Sequence, residues 1–445
     1  MAAEKDIIVA LELATTAIRA IAGQRLPDST MQVIAYAEEN ATTCIRKGII
    51  DNIDKTTQAI SRVLGHISLQ LGKTVSHVHV GIGGQSLHSV LNRIQRNFSE
   101  KTQVPNHIID QIMITNSGVV YADSEILEVV PQEYKVGSRI IADIVGMQVE
   151  QLEANFLNII ARKSLKENIQ KCVKNAGFEI ADLLIAPLTL GDSVLSASEK
   201  RSGCALADIG ADTTTISIYT NNILRKLIVL PIGANNVTND IAQCLKIEID
   251  EAEILKNKYG RAWLEDYEKA ISNSLEISGG KEITESKLCE ITEARYEEIL
   301  KNIWAQISDD CEKLTSGIVF TGGGSQIAFL TEAFQQIAKD KPVRIVKGFP
   351  TDIKMDTSIF LSDNGRINTI FGLLLHGDFN CVVTHKAEEP TEMLTPEPIP
   401  EPTPEPEPIP EPEQEPEQEP EIYIPQKKMG IWERIKIALT DDSNS

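Results

Sequence analysis

The chain has 445 residues, a formal charge of −21 and 42% apolar residues. This length and apolar content suffice for two sizeable domains, and the acidic balance excludes a nucleic-acid binder, which needs a basic face. More than half of the net charge lies in residues 387–426, which contain thirteen Glu and no Lys or Arg. The seven cysteines are scattered without a CxxC pair, which indicates a reducing compartment. We therefore expect a cytoplasmic protein.

The first segment predicts a strand, a tight turn and a second strand. It reads DIIVALELATTAIRAIAG over residues 6–23. Apolar residues then recur at helical spacing over residues 54–71, and Gly72 follows where a helix would end. The sequence VSHVHVGIGG predicts a further strand over residues 75–84.

The pattern of the first segment returns in the second half of the chain. Residues 205–233 read as a strand, an acidic polar turn and two more strands. In both copies a carboxylate, Glu12 or Asp208, ends an apolar run and is followed by small residues and threonines. This internal duplication predicts two related α/β domains that face each other across a cleft.

Three short turns carry the residues that suit chemistry in such a cleft. Residues 12–16 and 208–214 offer backbone N–H groups and threonine hydroxyls, which suit phosphate oxygens. Their carboxylates could hold a hard cation that bridges those phosphates, usually through water. The third turn, residues 321–325, has three glycines after a strand, so its backbone can pass close to a flat ring or a ribose.

In this order, and beside the duplication, the three turns resemble those of the actin, Hsp70 and sugar-kinase superfamily. Within the superfamily the chain is most similar to the FtsA family of bacterial cell-division proteins, over nearly its whole length. VVPQEYKVG at residues 129–137 and VGMQ at residues 145–148 are specific for this resemblance, because actin, Hsp70 and sugar kinases lack them. Further stretches that resemble the family include RKGIIDNID at residues 46–54 and GIVFTGGGSQI at residues 317–327.

The resemblance implies a fold class and a domain organisation. The fold would be an α/β, actin-like two-domain ATPase fold with an FtsA-type subdomain inserted in the first domain, called the insert below. A disordered linker rich in Pro and Glu and a C-terminal amphipathic helix would follow. The implied boundaries are residues 1–83 and 163–202 for the first domain, 84–162 for the insert, 203–385 for the second domain, 386–426 for the linker and 427–440 for the helix.

The resemblance also implies that ATP and Mg²⁺ bind in the cleft. Phosphate and metal would be held by Glu12, Thr15, Thr16, Asp208, Gly210 and Thr213, with Mg²⁺ bound through water to Glu12 and Asp208. Gly233 would close a third loop near the phosphates. The adenosine would lie on Gly322, Gly323 and Gly324, with Glu253 and Lys256 as partners from the facing helix.

The chain departs from the family pattern in its phosphate turns. Ala14 stands where glycine is usual, and Ala17 stands where lysine is common. Ala211, Asp212 and Thr215 replace the usual Gly, Gly and Asp of the second turn. An acidic Asp212 facing the phosphates would repel them unless a cation intervened. We therefore expect slow or absent ATP hydrolysis, and we assign no catalytic residue.

The last segment, KKMGIWERIKIALT at residues 427–440, has the pattern of an amphipathic helix. Most of its apolar residues fall within one arc of about 120°, and its basic residues stand out in an acidic protein. This pattern is typical of an interfacial helix bound to anionic lipid. The alternative is a helix that docks on its own domain or on a partner. The expected membrane residues are Lys427, Lys428, Ile431, Trp432, Arg434, Ile435, Lys436 and Leu439.

The resemblance implies a structural adaptor of the division machinery. The chain would form head-to-tail polymers at the division site, on the cytoplasmic face of the inner membrane. Its second domain would capture the C-terminal tail of the tubulin-like protein FtsZ, with Arg295 as a candidate contact. Other division proteins would bind the insert.

Three other functions share this fold. A soluble ATP-dependent enzyme such as a sugar kinase needs a catalytic base beside the γ-phosphate. Thr215 stands at the position where an acidic side chain could act, which counts against an enzyme. An Hsp70-like switch would need a separate peptide domain, which does not follow residue 385. A pilus-assembly actin homologue would lack the terminal helix. The insert and the tail favour the adaptor, since fold alone does not define function.

Overall fold

A computed structural model describes residues 6–265, 273–355 and 365–383 of the chain. They belong to one compact unit that spans residues 1–387. The predicted linker beyond this unit and the predicted terminal helix lie outside the described residues. Within the described ranges, no helix combines the length and the apolar character needed to cross a lipid bilayer.

The elements of the described part are numbered in chain order. The strands are β1 (Ile7–Leu13), β2 (Ala17–Arg25), β3 (Met31–Asn40), β4 (Ile45–Arg46), β5 (Ile49–Ile50), β6 (Thr74–Val75), β7 (His77–Ile82), β8 (His88–Gln103), β9 (Ser124–Val136), β10 (Arg139–Ile141), β11 (Gln148–Arg162), β12 (Glu179–Ile185), β13 (Cys204–Ile209), β14 (Thr214–Thr220), β15 (Ile223–Leu230), β16 (Ser274–Ile277), β17 (Lys281–Thr284), β18 (Ile318–Thr321), β19 (Val343–Ile345), β20 (Ile353–Met355) and β21 (Val382–Val383). The α-helices are α1 (Ile53–Leu71), α2 (Asn106–Ser117), α3 (Lys163–Asn175), α4 (Ala186–Val194), α5 (Ala197–Ser202), α6 (Ala234–Leu245), α7 (Ile249–Tyr259), α8 (Glu285–Ile307), α9 (Leu330–Ile337) and α10 (Asn368–His376). Short 3-10 helices are formed by Ser308–Lys313 and Gly323–Gln326.

Helix α1 shows how local sequence sets an element's ends. The side chain of Asn52 accepts a hydrogen bond from the backbone N of Lys55 at 2.9 Å, which caps the N-terminus. Gly72 adopts the left-handed conformation, with φ of +61°, that helix C-termini favour. The predicted helix over residues 54–71 is therefore confirmed, and its buried stripe packs on β2 and β3.

Two sheets repeat the same strand order. The first sheet runs β12-β7-β1-β2-β3-β20, and the second contains β19-β18-β13-β14-β15. In the first, β1 pairs with β2 antiparallel and with β7 parallel. In the second, β13 pairs with β14 antiparallel and with β18 parallel. The duplication predicted from the sequence is thus confirmed in the strand topology.

The second sheet continues into the insert. Its full order is β10-β9-β11-β8-β15-β14-β13-β18-β19, so four insert strands extend the edge at β15. The junction is the pairing of Ile228 on β15 with His88 on β8. Helix α2 covers this part of the sheet, and a separate apolar core lies beneath it, including Ile108, Ile112 and Phe156.

A large apolar core lies in the second half of the chain. Helices α6, α8 and α9 bury apolar side chains against β13, β14 and β18. Phe320 and Phe334 are fully buried there and meet edge to face, with ring centroids 5.2 Å apart. A second core packs α10 against the first sheet, around Phe371 and Leu374. Both sheets therefore present firmly supported strand ends to the cleft between them.

Candidate functional site

A cleft of about 400 Å³ lies between the two sheets. Each of the three predicted turns follows the carboxyl end of a strand, β1, β13 or β18, and all three line this cleft. Parallel neighbours place their carboxyl ends together, and Asp208 is in register with Thr321. The predicted site residues that line the cleft are Glu12, Thr15, Thr16, Asp208, Gly210, Thr213, Glu253, Lys256, Gly322, Gly323 and Gly324.

Among the residues predicted to bind nucleotide, Gly233 is the one that does not line the cleft. It precedes helix α6, and its backbone packs against the second turn, where an added Cβ would lie 2.5 Å from the carbonyl oxygen of Ala211. The next two residues, Ala234 and Asn235, do line the cleft. Gly233 therefore supports the second turn from behind and does not face the space that phosphates would occupy.

The first turn joins the hairpin of β1 and β2. Glu12 is buried, and its Oε2 lies 3.2 Å from Nη1 of Arg19, the residue opposite it in the hairpin register. Burial raises the pKa of the Glu12 carboxyl, although Arg19 opposes this rise. Arg19 also lies 3.3 Å from Glu38 and lines the cleft.

Arg19 is a cleft residue that the sequence analysis missed. We noted the loss of a lysine at Ala17, but a buried guanidinium enters the same wall two residues later. A signal for it existed in the sequence. Leu13 pairs with Ile18 across the four residues 14–17, so residue 19 lies directly opposite residue 12, and opposite charges favour such cross-strand pairs.

Asp208 is the carboxylate of the second turn. Burial, with a smaller contribution from the negative charge of Glu12, raises its pKa to about 7. Two carboxylates in a shielded cleft repel each other, and a bound divalent cation would stabilise both. The described residues contain no group of three His, Cys, Asp or Glu side chains that could enclose a metal. Glu12 and Asp208 therefore fit a cation that takes its other ligands from water or phosphate.

Asp212, which was expected to repel phosphates if it faced them, is not among the residues that line the cleft. Its Oδ2 accepts a hydrogen bond from the backbone N of Lys47 at 3.1 Å, and its Oδ1 accepts one from Asn235 Nδ2 at 2.8 Å. Beside it, Thr15 Oγ1 accepts a hydrogen bond from the backbone N of Gly48 at 3.2 Å. Both side chains thus hold the RKG turn, residues 46–48, between the two phosphate turns.

The glycine turn packs directly on the second phosphate turn. Gly322 has φ of +85°, and an added Cβ would lie 2.3 Å from Asp208 Oδ1, so only glycine fits there. Ser325 Oγ donates a hydrogen bond to the carbonyl of Gly322 at 2.7 Å. Tyr296 on α8 is buried, lines the cleft, and donates a hydrogen bond from its hydroxyl to the carbonyl of Gly324 at 2.8 Å.

Glu253 and Lys256 form one network on helix α7. Lys256 Nζ lies 2.6 Å from Glu253 Oε2 and 2.9 Å from Thr238 Oγ1. Burial lowers the pKa of Lys256, although Glu253 opposes this. Burial disfavours the Glu253 carboxylate, but hydrogen bonds from Lys256 and Thr238 outweigh this effect and lower its pKa. The pair forms a fixed polar wall at the end of the cleft near the glycine turn.

We expect Tyr296→Phe to weaken nucleotide binding by about five- to tenfold, because removing the hydroxyl leaves the carbonyl of Gly324 without its buried donor. Titration calorimetry with MgATP would measure this loss. The matched control is Tyr121→Phe, which removes a hydroxyl bound to Asn158 Nδ2 at 3.1 Å in the insert, away from the cleft. Equal affinities for both variants and the unmodified chain would contradict a role for Tyr296 at the glycine turn.

Arg295, the candidate contact for a partner peptide, lies next to Tyr296 but points away from the cleft. Its Nε lies 2.5 Å from Asp240 Oδ2, its Nη2 lies 2.9 Å from Asp240 Oδ1, and its Nη1 lies 2.5 Å from Glu298 Oε2. The hydrogen bond to Asp240 is the main cause that raises the pKa of the guanidinium. A carboxylate from a partner would therefore have to share the guanidinium with these two acids.

Comparison with known proteins agrees with this architecture. Residues 205–361 match the family described as "Cell division protein FtsA", and residues 84–160 match the "SHS2 domain inserted in FTSA". The chain is 28% identical to the FtsA of Pseudomonas aeruginosa over 377 residues, covering 83% of the chain and 89% of that protein. It is also 28% identical to the FtsA of Neisseria meningitidis, covering 84% of the chain and 91% of that protein.

Among solved structures, a chain of the "PilM-PilN type IV pilus biogenesis complex" has a similar fold. Its TM-score is 0.57 at 15% sequence identity, over 83% of this chain and 97% of that one. The duplicated sheets and the cleft with three turns define an actin-like protein of the mixed α/β class, with an SHS2 domain inserted. Within that class, the chain belongs to the FtsA family of cell-division proteins.

Proposed function

We propose that the chain is an ATP-binding adaptor that polymerises on the cytoplasmic face of the inner membrane and attaches the FtsZ ring to it. The observation that supports the nucleotide most directly is the convergence of all three turns on one cleft. Its volume of about 400 Å³ lies in the range of nucleotide-sized sites. The domain boundaries given by the sequence resemblance form part of this proposal.

The residues present fit an ATP with its Mg²⁺. Glu12 and Asp208 would hold the cation through water, and the backbone amides of the first two turns would contact phosphates. Arg19 adds a positive charge to the same wall. Gly322, Gly323 and Gly324 would pass under the adenosine, with Glu253 and Lys256 beside it. Bound between the two domains, the nucleotide would favour one degree of closure, which determines whether successive copies fit head to tail.

The links to membrane and FtsZ rest on sequence and family membership. An amphipathic helix such as residues 427–440 binds anionic lipid weakly on its own, so stable attachment would require many copies on a polymer. Arg295 lies on the outer side of α8, where an acidic FtsZ tail would compete with Asp240 and Glu298. Other division proteins would bind the insert.

The first experiment is co-sedimentation with vesicles of phosphatidylglycerol, in the presence of MgATP. We expect the full chain to pellet with them, and a chain that ends at Thr384 to remain in the supernatant. The matched control is the full chain with Trp432→Ser and Ile435→Ser, which keeps every basic residue and removes part of the apolar face. This variant is expected to bind much more weakly, because the affinity of such helices scales with the apolar area that they bury.

Two outcomes would contradict the membrane part of the proposal. Pelleting of the truncated chain would place the lipid contact elsewhere in the molecule. Failure of the full chain to pellet would make residues 427–440 a protein-docking element and favour a soluble ATP-dependent switch. The nucleotide part is tested separately, by calorimetric titration of MgATP into the truncated chain.

A further inference from the structure

The insert is joined to the second sheet by surprisingly little backbone pairing. Within the described residues, β8 and β15 share one register pair, His88 with Ile228. By contrast, β8 and β11 inside the insert pair over most of their lengths. A single backbone pair contributes little to holding two strands together against thermal motion. Side chains must therefore supply most of the adhesion at this seam, which comprises the facing parts of β8, β9 and β15.

Arg225 on β15 is the centre of the seam. Its guanidinium forms a bidentate ion pair with Glu133 on β9, with Nη1 2.5 Å from Oε2. Nη1 also lies 2.9 Å from Gln132 Oε1. Its Nε donates a hydrogen bond to Thr220 Oγ1 at 2.9 Å, which fixes the side chain to its own hairpin. About four-fifths of each charged side chain is covered, at 20% and 24% exposure, and bidentate pairs of this kind are among the strongest polar contacts.

Two further side chains bond to the backbone of β15. Gln132 is buried, and its Nε2 donates a hydrogen bond to the carbonyl of Leu224 at 3.0 Å. Ser89 on β8 contacts both backbone groups of Leu227, accepting from its N at 2.8 Å and donating to its carbonyl at 3.2 Å. These contacts replace the ladder bonds that the short pairing lacks. The family-specific motif VVPQEYKVG supplies both Gln132 and Glu133.

The contacts of the insert with the first sheet and its helices are of another kind. The chain enters the insert near Gly84, which has φ of +106° and packs on the RKG turn, and leaves it at Arg162. Near the exit, Lys166 on α3 lies 3.2 Å from Glu125. Both side chains of that pair are more exposed than those of the Arg225 pair, at 35% and 27%. Among the described residues, the first-domain junction thus combines two chain connections, this ion pair and backbone hydrogen bonds from Lys163 N to the carbonyl of Asp123 at 3.2 Å and from Gln85 N to the carbonyl of Lys47 at 3.0 Å.

We propose that Arg225, Glu133 and Gln132 clamp the insert to the second domain, so that the insert moves with that domain although the chain joins it to the first. Strand β15 leads directly into the second domain's side of the cleft. Thr215, which lines the cleft, pairs with Val229, and Thr214 Oγ1 donates a hydrogen bond to the carbonyl of Ile232 at 2.8 Å. A rotation of the second domain would thus carry β15 and the clamped insert together, and bending would fall at the two chain connections.

The clamp is tested by reversing its charges in the full chain. We expect Arg225→Glu and Glu133→Arg, each alone, to increase hydrogen exchange of peptides covering residues 128–136 and 223–230 by about tenfold or more. The double variant restores the ion pair with opposite polarity and should return exchange to within about threefold of the unmodified chain. The milder Arg225→Gln serves if a charge reversal prevents folding, which rapid exchange in β1 would reveal.

The matched control is Glu125→Gln, which breaks the ion pair of the insert with the first domain and should leave exchange at the seam unchanged. The clamp is ruled out if the single variants exchange like the unmodified chain. It is also ruled out if the double variant exchanges as fast as the single ones. This arm uses nucleotide-free protein, so its result does not depend on whether ATP binds.

A second arm adds MgATP to the unmodified chain. We expect peptides at the two connections, residues 83–88 and 160–166, to change their exchange while the seam peptides stay protected. A response at the seam with none at the connections would mean that the insert moves with the first domain, which overturns the proposal. An unchanged peptide over residues 208–215 would count against nucleotide binding and leave the result of the first arm intact.

Discussion

Asp208→Asn is expected to weaken binding of the magnesium nucleotide while making the nucleotide-free protein more stable at pH 8. The substitution removes one of the two carboxylates that would hold the cation through water, and losses of such outer partners cost about 10–100-fold in affinity. It also removes a buried charge that Glu12 destabilises. The two effects have opposite signs because the carboxylate destabilises the fold when no cation is bound, whereas it contributes to binding when the cation is present.

The dependence on pH follows from the pKa of Asp208, which is raised from 3.8 to about 7. The folded protein holds this proton more tightly than the unfolded chain does, so its contribution to stability falls as pH rises from about 4 to 7. The Asp208→Asn variant has no carboxyl at this position, so its stability does not fall in this way. Its folding stability relative to the unmodified chain should therefore increase over that range and level off above pH 7, at about 2–4 kcal/mol.

Thermal unfolding from pH 4 to 8 and calorimetric titration with MgATP would measure the two effects. The matched control is Asp182→Asn, which removes an exposed carboxylate from β12. Nucleotide affinity of the unmodified chain should also fall as pH drops below 7, because a protonated Asp208 is a poor partner for the cation. If Asp208→Asn lowers stability at pH 8, the carboxylate is stabilised by a contact other than a cation.

Gly322→Ala is expected to abolish nucleotide binding and to cost about 3 kcal/mol of folding stability. The backbone has φ of +85°, and the new Cβ would lie 2.3 Å from Asp208 Oδ1 and 2.5 Å from the carbonyl oxygen of Ile209. Neither neighbour can move freely, because both belong to the second phosphate turn. The glycine turn and the phosphate turn would therefore be pushed apart at the point where they jointly line the cleft.

Gly279→Ala is an unusually close control for this substitution. Gly279 has φ of +83°, but no atom lies within 4 Å of its added Cβ. The Gly279→Ala variant should lose only about 1 kcal/mol of folding stability, which is the cost of an alanine in the left-handed conformation. It should keep its affinity for MgATP. Urea denaturation and calorimetry on both variants would separate backbone strain from steric overlap. Equal losses of stability would show that packing of the glycine turn on Asp208 contributes nothing.

Local patterns were enough to predict much of this molecule. The hairpin of β1 and β2, helix α1 and the repeat after residue 205 depend on residue period, turn composition and caps, which are properties of neighbouring residues. The three turns could be assigned to one cleft because duplicated α/β domains present their strand ends to each other. The role of Arg19 could also have been predicted, since its position opposite Glu12 follows from the register of the hairpin.

Other features depended on what each side chain meets across the fold. Asp212 lies within the second phosphate turn, yet its side chain accepts a hydrogen bond from the backbone N of Lys47 because the RKG turn offers that donor. Tyr296 and Arg295 are adjacent on α8, and helical geometry sends one to the glycine turn and the other to Asp240. Gly233 supports the second turn from behind because α6 begins against it.

By itself the sequence determined the family, the duplicated fold and the kinds of residues at the cleft, because these follow from motifs and periodicities within short segments. Only the tertiary structure decided that the insert continues the second sheet. That junction depends on one backbone pair, His88 with Ile228, and on an ion pair between Arg225 and Glu133. Contacts between residues so distant in the chain leave no period in the sequence, so they become visible only when the strands are placed side by side.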